Sequence, residues 1–81
     1  MPHVCVLDFE TSGVRNSDRA IEVGVVRVDL EDREIVEEYQ SLMNPGIVIS
    51  SEIVRITGIR PHEVVAAPPS AEVMRRVVQF I

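Results

Sequence analysis

Asp8 and Glu10 stand two residues apart with Phe9 between them, and Thr11, Ser12 and Gly13 follow at once. On an extended backbone successive side chains alternate, so both carboxylates project from one face and Phe9 from the other. Two carboxylates side by side repel unless a cation lies between them. Hard divalent ions such as Mg²⁺ and Mn²⁺ take oxygen ligands of this kind. Two such ions about 3.5–4 Å apart can activate a water and stabilise the leaving oxygen of a phosphodiester. Gly13 lets the backbone turn sharply after the carboxylates, which would set the amides and hydroxyls of Thr11 and Ser12 to meet a terminal nucleotide. Acid pairs of this spacing are also common at solvated strand ends, so the pair alone does not fix the chemistry.

The elements that must hold these residues are legible from apolar patterning. Val4, Cys5, Val6 and Leu7 are consecutive and apolar, which predicts a strand over residues 3–9 covered on both faces. Residues 11–19 are polar and predict a loop. A second strand is expected over 20–30, with a parity shift near Val25-Val26 that implies a bulge or a stretch covered on both faces. The charged turn Glu31-Asp32-Arg33 leads to a third strand over 34–43, antiparallel to the second because so short a connection cannot cross over. Ser50 or Ser51 can cap a helix over about 51–57 that carries Ile53 and Ile56 on one face and stops near Gly58. Pro61-His62-Glu63 predicts a turn or a short helical piece. Ser70 is expected to cap a last helix over 71–81, with Met74, Val77, Val78 and Ile81 on its apolar face.

Composition bounds the answer further. A chain of 81 residues makes one small domain, and its 46% hydrophobic content, rich in Val and Ile, argues against disorder. The net charge of −5 argues against a protein that merely coats nucleic acid, since neutralising phosphates takes basic residues. It argues less against a nuclease, whose carboxylates bind cations that then meet the phosphate. Cys5 is the single cysteine, which precludes an internal disulfide and fits a reducing cytoplasm. No run approaches the roughly 18 apolar residues of a membrane span, and the N-terminus lacks the pattern of a secretory signal.

The run Asp8-Phe9-Glu10-Thr11-Ser12-Gly13 closely resembles the first exonuclease motif of the DnaQ-like (DEDD) family, often written DFETTG. Ala20-Ile21-Glu22-Val23-Gly24-Val25-Val26 resembles the family's second strand. Asn44-Pro45-Gly46, Ile49-Ser50 and Ile56-Thr57-Gly58-Ile59 resemble the NPG…ITGI segment of proofreading-type members. The resemblance implies an α/β, ribonuclease H-like fold. It is expected here as an incomplete form, a three-stranded antiparallel sheet followed by two helices. It also implies removal of mononucleotides from a 3′ end with two divalent ions. Asp8 and Glu10 match the catalytic, metal-holding positions of the first motif. Thr11 matches the position that contacts the 3′-terminal nucleotide, and Ile56 and Thr57 fall in the segment near the terminal base. With Phe9 and Ser12 they form the expected substrate-binding set. DNA is favoured over RNA, and a DNA polymerase subunit is the implied partner.

The family's second motif, with an Asp, and its third, with the general base and last Asp, find no match here. The chain is therefore expected to be the N-terminal part of one exonuclease domain, inactive alone, whose apolar first strand and last helix favour self-association. A non-catalytic interaction or assembly module and an RNA-trimming exonuclease are the alternatives. His3 and His62 are better read as surface or packing residues than as the missing base. Cys5, with no cationic neighbour in sequence, reads as an inert buried thiol. Glu22 reads as structural, Gly24 as room for a helix, and Arg75-Arg76 as solubilising.

Overall fold

A computed structural model describes residues 2–13 and 18–81 of the chain. Three strands, β1 (His3–Thr11), β2 (Ala20–Asp29) and β3 (Glu34–Leu42), pair antiparallel in the order β1-β2-β3. Three helices follow, α1 (Ser51–Thr57), α2 (Pro61–Val65) and α3 (Ser70–Val78). The strands match the expected ones to within two residues at each end. Thr11 belongs to β1 rather than to the loop, reaching Ala20 across a register shift after Glu10. The part of the expected loop at 14–17 lies outside the described residues.

β2 supplies the core because it is the central strand. Its residues Ile21, Val23 and Val25 are buried on the face that the later segments cover. Val23 packs with Met43, Val73 and Val77, and Ile21 packs with Ile49, Ile59 and Val64. The apolar parity shift of β2 is not a bulge at Val25-Val26. Alternation persists there, and the ladder to β3 shifts between Arg27 and Val28 instead. Val26 and Val28 form, with Val4 and Val6 across the ladder, an apolar stripe on the open face.

β1 departs most from expectation. It is an edge strand with β2 on one side, and all of it but the part-buried Cys5 is exposed. Cys5 is not remote from cations, since the register sets it opposite Arg27, a neighbour the linear sequence does not reveal. Its thiol donates to the Phe80 carbonyl at 2.8 Å.

Of the turn or short helical piece expected at Pro61-His62-Glu63, the structure has the helix, α2, between the two longer ones. Pro61, whose fixed φ suits a first helical position, starts α2, and the Glu63 carboxylate reaches back to accept from the Arg60 amide at 3.2 Å. Ser50 caps α1 as expected, its hydroxyl accepting from the Ile53 amide at 3.3 Å. Ser70 does not cap α3. It is the first helical residue, and its hydroxyl donates to the Asn44 carbonyl at 3.2 Å, beside the bridge between Asn44 and Pro69.

α3 ends at Val78, short of the expected boundary. The amides of Gln79, Phe80 and Ile81 bond to carbonyls three residues back, tightening the chain out of the α-helix. This turn stacks the Phe80 ring on Tyr39, with centroids 5.9 Å apart, and under the Arg27 guanidinium. The buried face of α3 is Val73 and Val77 with Met74 partly buried, one residue round from the predicted stripe, leaving Val78 and Ile81 exposed.

The charged turn also holds more than solvated side chains. Asp29 is buried and its Oδ1 accepts from the amides of Glu31 and Asp32 at 2.9 and 3.2 Å, which closes the β2–β3 hairpin. Oδ2 lies 3.8 Å from His3 Nε2, so His3 packs at the hairpin end, far along β1 from Asp8 and Glu10.

Candidate functional site

The alternation of β1 sets Asp8 and Glu10 on the open face of the sheet, and Phe9 on the face towards the helices. Asp8 stands opposite Gly24, and Glu10 opposite Glu22. Glu22 in turn accepts from the Gln40 amide at 3.1 Å. Among the described residues no hydrogen bond or ion pair engages the Asp8 or Glu10 carboxylates, both of which are exposed.

Gly24 does not serve helix packing, because a Cβ there would meet nothing within 4 Å. Its missing side chain instead keeps the space beside Asp8 open. An open cleft of about 410 Å³ lies here, lined by Asp8 and Gly24 with Val6, Val26, Glu38 and Gln40. Asp8 at this cleft and Glu10 farther along the same face, neither of them engaged, offer oxygen donors of the kind a hard divalent cation takes. Among the described residues there is no group of three or more potential ligands close enough to close around an ion.

The remaining predicted residues divide. Ser12 and Ile56 come together in a second cleft, of about 510 Å³, between the end of β1 and α1. Ile56 is 67% exposed while Ile53 of the same helix packs against the core, so Ile56 is free to face a ligand. The two hydroxyls of the opening run are already engaged. Thr11 Oγ1 donates to the Gly13 carbonyl at 2.7 Å. Ser12 Oγ donates to Asp18 at 2.9 Å and accepts from the Arg19 amide at 2.9 Å. Thr57 works inside its own helix end, donating to the Ile53 carbonyl at 2.8 Å and accepting from the Ile59 amide at 3.1 Å. Phe9, opposite Val23, is separated from the carboxylates by the sheet itself.

Sequence reasoning read Glu22 as structural, and passed over Gln40 and Glu52. Strand parity could have placed Glu22 with Glu10, but only once the β1–β2 register was known. Glu52 carried no signal, since acidic residues in a first helical turn are common.

A family model described as an exonuclease, RNase_T, matches residues 5–81. A PolC-type DNA polymerase III from Caldanaerobacter subterraneus subsp. tengcongensis is 38% identical over 76 residues, which is 93% of this chain and 5% of that protein. The PolC-type polymerase of Thermotoga petrophila is 46% identical over 55 residues, 67% of this chain and 4% of that protein. The chain thus spans about 5% of the length of the curated relatives it matches. Among solved structures, the nuclease domain of 3′hExo, a DEDDh family member bound to rAMP, superposes with a TM-score of 0.85 at 25% identity. The match covers 96% of this chain and 42% of that one. Escherichia coli Exonuclease I in complex with an oligonucleotide gives a TM-score of 0.81 at 25% identity, covering 98% of this chain and 18% of that one. The sheet and helices described above are thus the ribonuclease H-like arrangement of DEDDh exonucleases.

Proposed function

The chain belongs to the exonuclease family, and on that premise we propose that it carries the first half of a two-metal site for 3′–5′ digestion of DNA, of the proofreading type. It would form the N-terminal part of one exonuclease domain. The observation that carries this reading is the pair Asp8 and Glu10, unengaged on one face beside the space that Gly24 leaves open. When bound, Mg²⁺ or Mn²⁺ would supply an activated water and charge stabilisation of the leaving oxygen. Asp8 and Glu10 would hold the ions. Ser12 and Ile56 would meet the terminal nucleotide in the neighbouring cleft, with Thr11 at its approach. Phe9 and Thr57 would support that site from behind, by packing under β1 and by ending α1.

The PolC-type relatives favour DNA and a place beside a polymerase. Solved neighbours that include an exonuclease recognising a histone mRNA stem-loop keep RNA trimming as the second reading. No helix among the described residues is long and apolar enough to cross a membrane. The single thiol suits the reducing cytoplasm in which replication takes place.

Titration of the isotope-labelled chain with Mn²⁺ tests the site. Paramagnetic broadening should centre on Asp8, Glu10 and Gly24, and Asp8→Asn should weaken it at least about tenfold, as loss of a metal-site partner does. Uniform broadening over all the acidic surface, unchanged by Asp8→Asn, would refute a site at this pair.

A further inference from the structure

We infer that Glu22 is a positioning residue for the cation, raising ion affinity through its charge beside Glu10 without being a ligand. This rests on the function proposed above, which places the ion at Asp8 and Glu10; that reading assigns Glu22 no part. Residues directly opposite in an antiparallel pair carry their Cβ atoms about 4.5–5.5 Å apart. Glu22 stands in that relation to Glu10 on the open face, and Gly24 is the next residue of β2 on that face. Asp8 lies on the diagonal, opposite Gly24. Gly24 carries no side chain, so none along β2 screens Glu22 from the space beside Asp8.

The surroundings of Glu22 leave its charge uncancelled. It is half-buried on the central strand. Among the described residues its hydrogen-bond partner is the Gln40 side-chain amide, which donates to Oε2 at 3.1 Å. That donor is neutral, so it directs the carboxylate and leaves the full negative charge in place. The ion pairs among the described residues lie elsewhere, at Asp29 and Glu37. Opposite charges across a ladder stabilise a sheet, and this rung carries two like charges instead. The like charge weakens the metal-free sheet and strengthens its attraction for a cation, so one residue has opposite effects in the two states. The Gln40 contact turns Glu22 towards β3, which leaves Glu10 rather than Glu22 to meet the ion.

Mn²⁺ titrations of the isotope-labelled chain at low and at high KCl, followed by paramagnetic broadening of amide signals, test this. Glu22→Gln keeps an oxygen for Gln40 and removes the charge. It should weaken Mn²⁺ binding about three- to fivefold at low salt, the scale of one charge–charge interaction in a largely aqueous setting. The broadened amides should remain those around Asp8 and Gly24, and the loss should shrink at high KCl, because salt screens charge and not shape. Glu22→Asp restores the charge on a shorter side chain and should recover most of the affinity. Glu34→Gln, at the hairpin end of β3, makes the same change in net charge beyond the reach of unscreened attraction. It should leave the affinity nearly unchanged. Undiminished affinity in Glu22→Gln, while Asp8→Asn weakens binding, would overturn the role of Glu22 and leave the site at Asp8 and Glu10. An equal loss in Glu22→Gln and Glu22→Asp, or in Glu22→Gln and Glu34→Gln, would overturn that role as well. Broadening that Asp8→Asn does not alter would overturn the site itself, and the role of Glu22 with it.

Discussion

Glu10 lies directly across the β1–β2 ladder from Glu22, on the same face of the sheet, and the Gln40 amide donates to Glu22 at 3.1 Å. Like charges directly opposite in a sheet are destabilising, on the scale of about 0.2–1 kcal/mol for a cross-strand pair. The Gln40 contact turns Glu22 towards β3 and relieves part of that cost. Such an arrangement is expected where a cation, when present, removes the repulsion that the free protein carries.

Glu22→Gln should therefore stabilise the metal-free chain by a few tenths of a kcal/mol, up to about 1 kcal/mol. The glutamine keeps an oxygen to accept from Gln40, so packing is little changed. Urea unfolding in EDTA measures the gain, and repeating it in saturating Mn²⁺ should shrink it. A destabilised Glu22→Gln chain in EDTA would show that the two carboxylates do not oppose one another in solution.

Met43 tests the core that fixes the site. It is 1% exposed and packs with Val23, Val73 and Val77, beneath the strand that opposes the carboxylates. Met43→Ala should cost about 2–5 kcal/mol through lost burial and the cavity left behind. Val48→Ala, at a position 92% exposed, should stay within about 0.5 kcal/mol. Equal effects in denaturant unfolding would mean that Met43 is not enclosed.

Activity of the 81-residue chain by itself is the sharpest measure of how much of the site it holds. It supplies the two first-motif carboxylates, Asp8 at the open cleft and Glu10 two residues on along the same face, and both His3 and His62 lie elsewhere, at the hairpin end and in α2. A general base alone contributes about 10²–10⁴-fold to such a reaction. Incubation with a 3′-labelled oligonucleotide in Mg²⁺ or Mn²⁺ should leave the label in place. Steady release of the label, abolished by Asp8→Ala, would contradict the division of the site proposed here.

The three strands and both longer helices were legible because period and parity are local properties of the sequence. So was the shared face of Asp8 and Glu10, which alternation alone dictates. The length of α3 was not, because a tertiary anchor ends it: Phe80 is drawn to Tyr39, Arg27 and Cys5 from three different strands. Ser70 looked like a cap for the same local reason that made Ser50 one, but the Asn44 carbonyl claims its hydroxyl. Thr11, Ser12 and Thr57 carried the right chemistry for a substrate, and the structure spends their hydroxyls on closing a turn, a loop and a helix end. Glu22 read as structural, and its place opposite Glu10 was not legible because pairing register is not written in any one stretch of residues.

The free edge of β1 leads to the last expectation. β2 pairs with one side of β1, and among the described residues nothing pairs with the other. Val4, Val6, Leu7 and Phe9 along it are 36–52% exposed, on both faces of the strand. An exposed apolar edge with unpaired amides and carbonyls is a template for another strand. A second copy of the chain offers the same edge, and antiparallel pairing of two β1 strands would be self-complementary about a two-fold axis. Sedimentation velocity at high concentration should show a dimer. Val6→Lys, which places a charge in the apolar stripe without touching the buried core, should shift it towards monomer. A clean monomer at the highest soluble concentration would exclude pairing through β1.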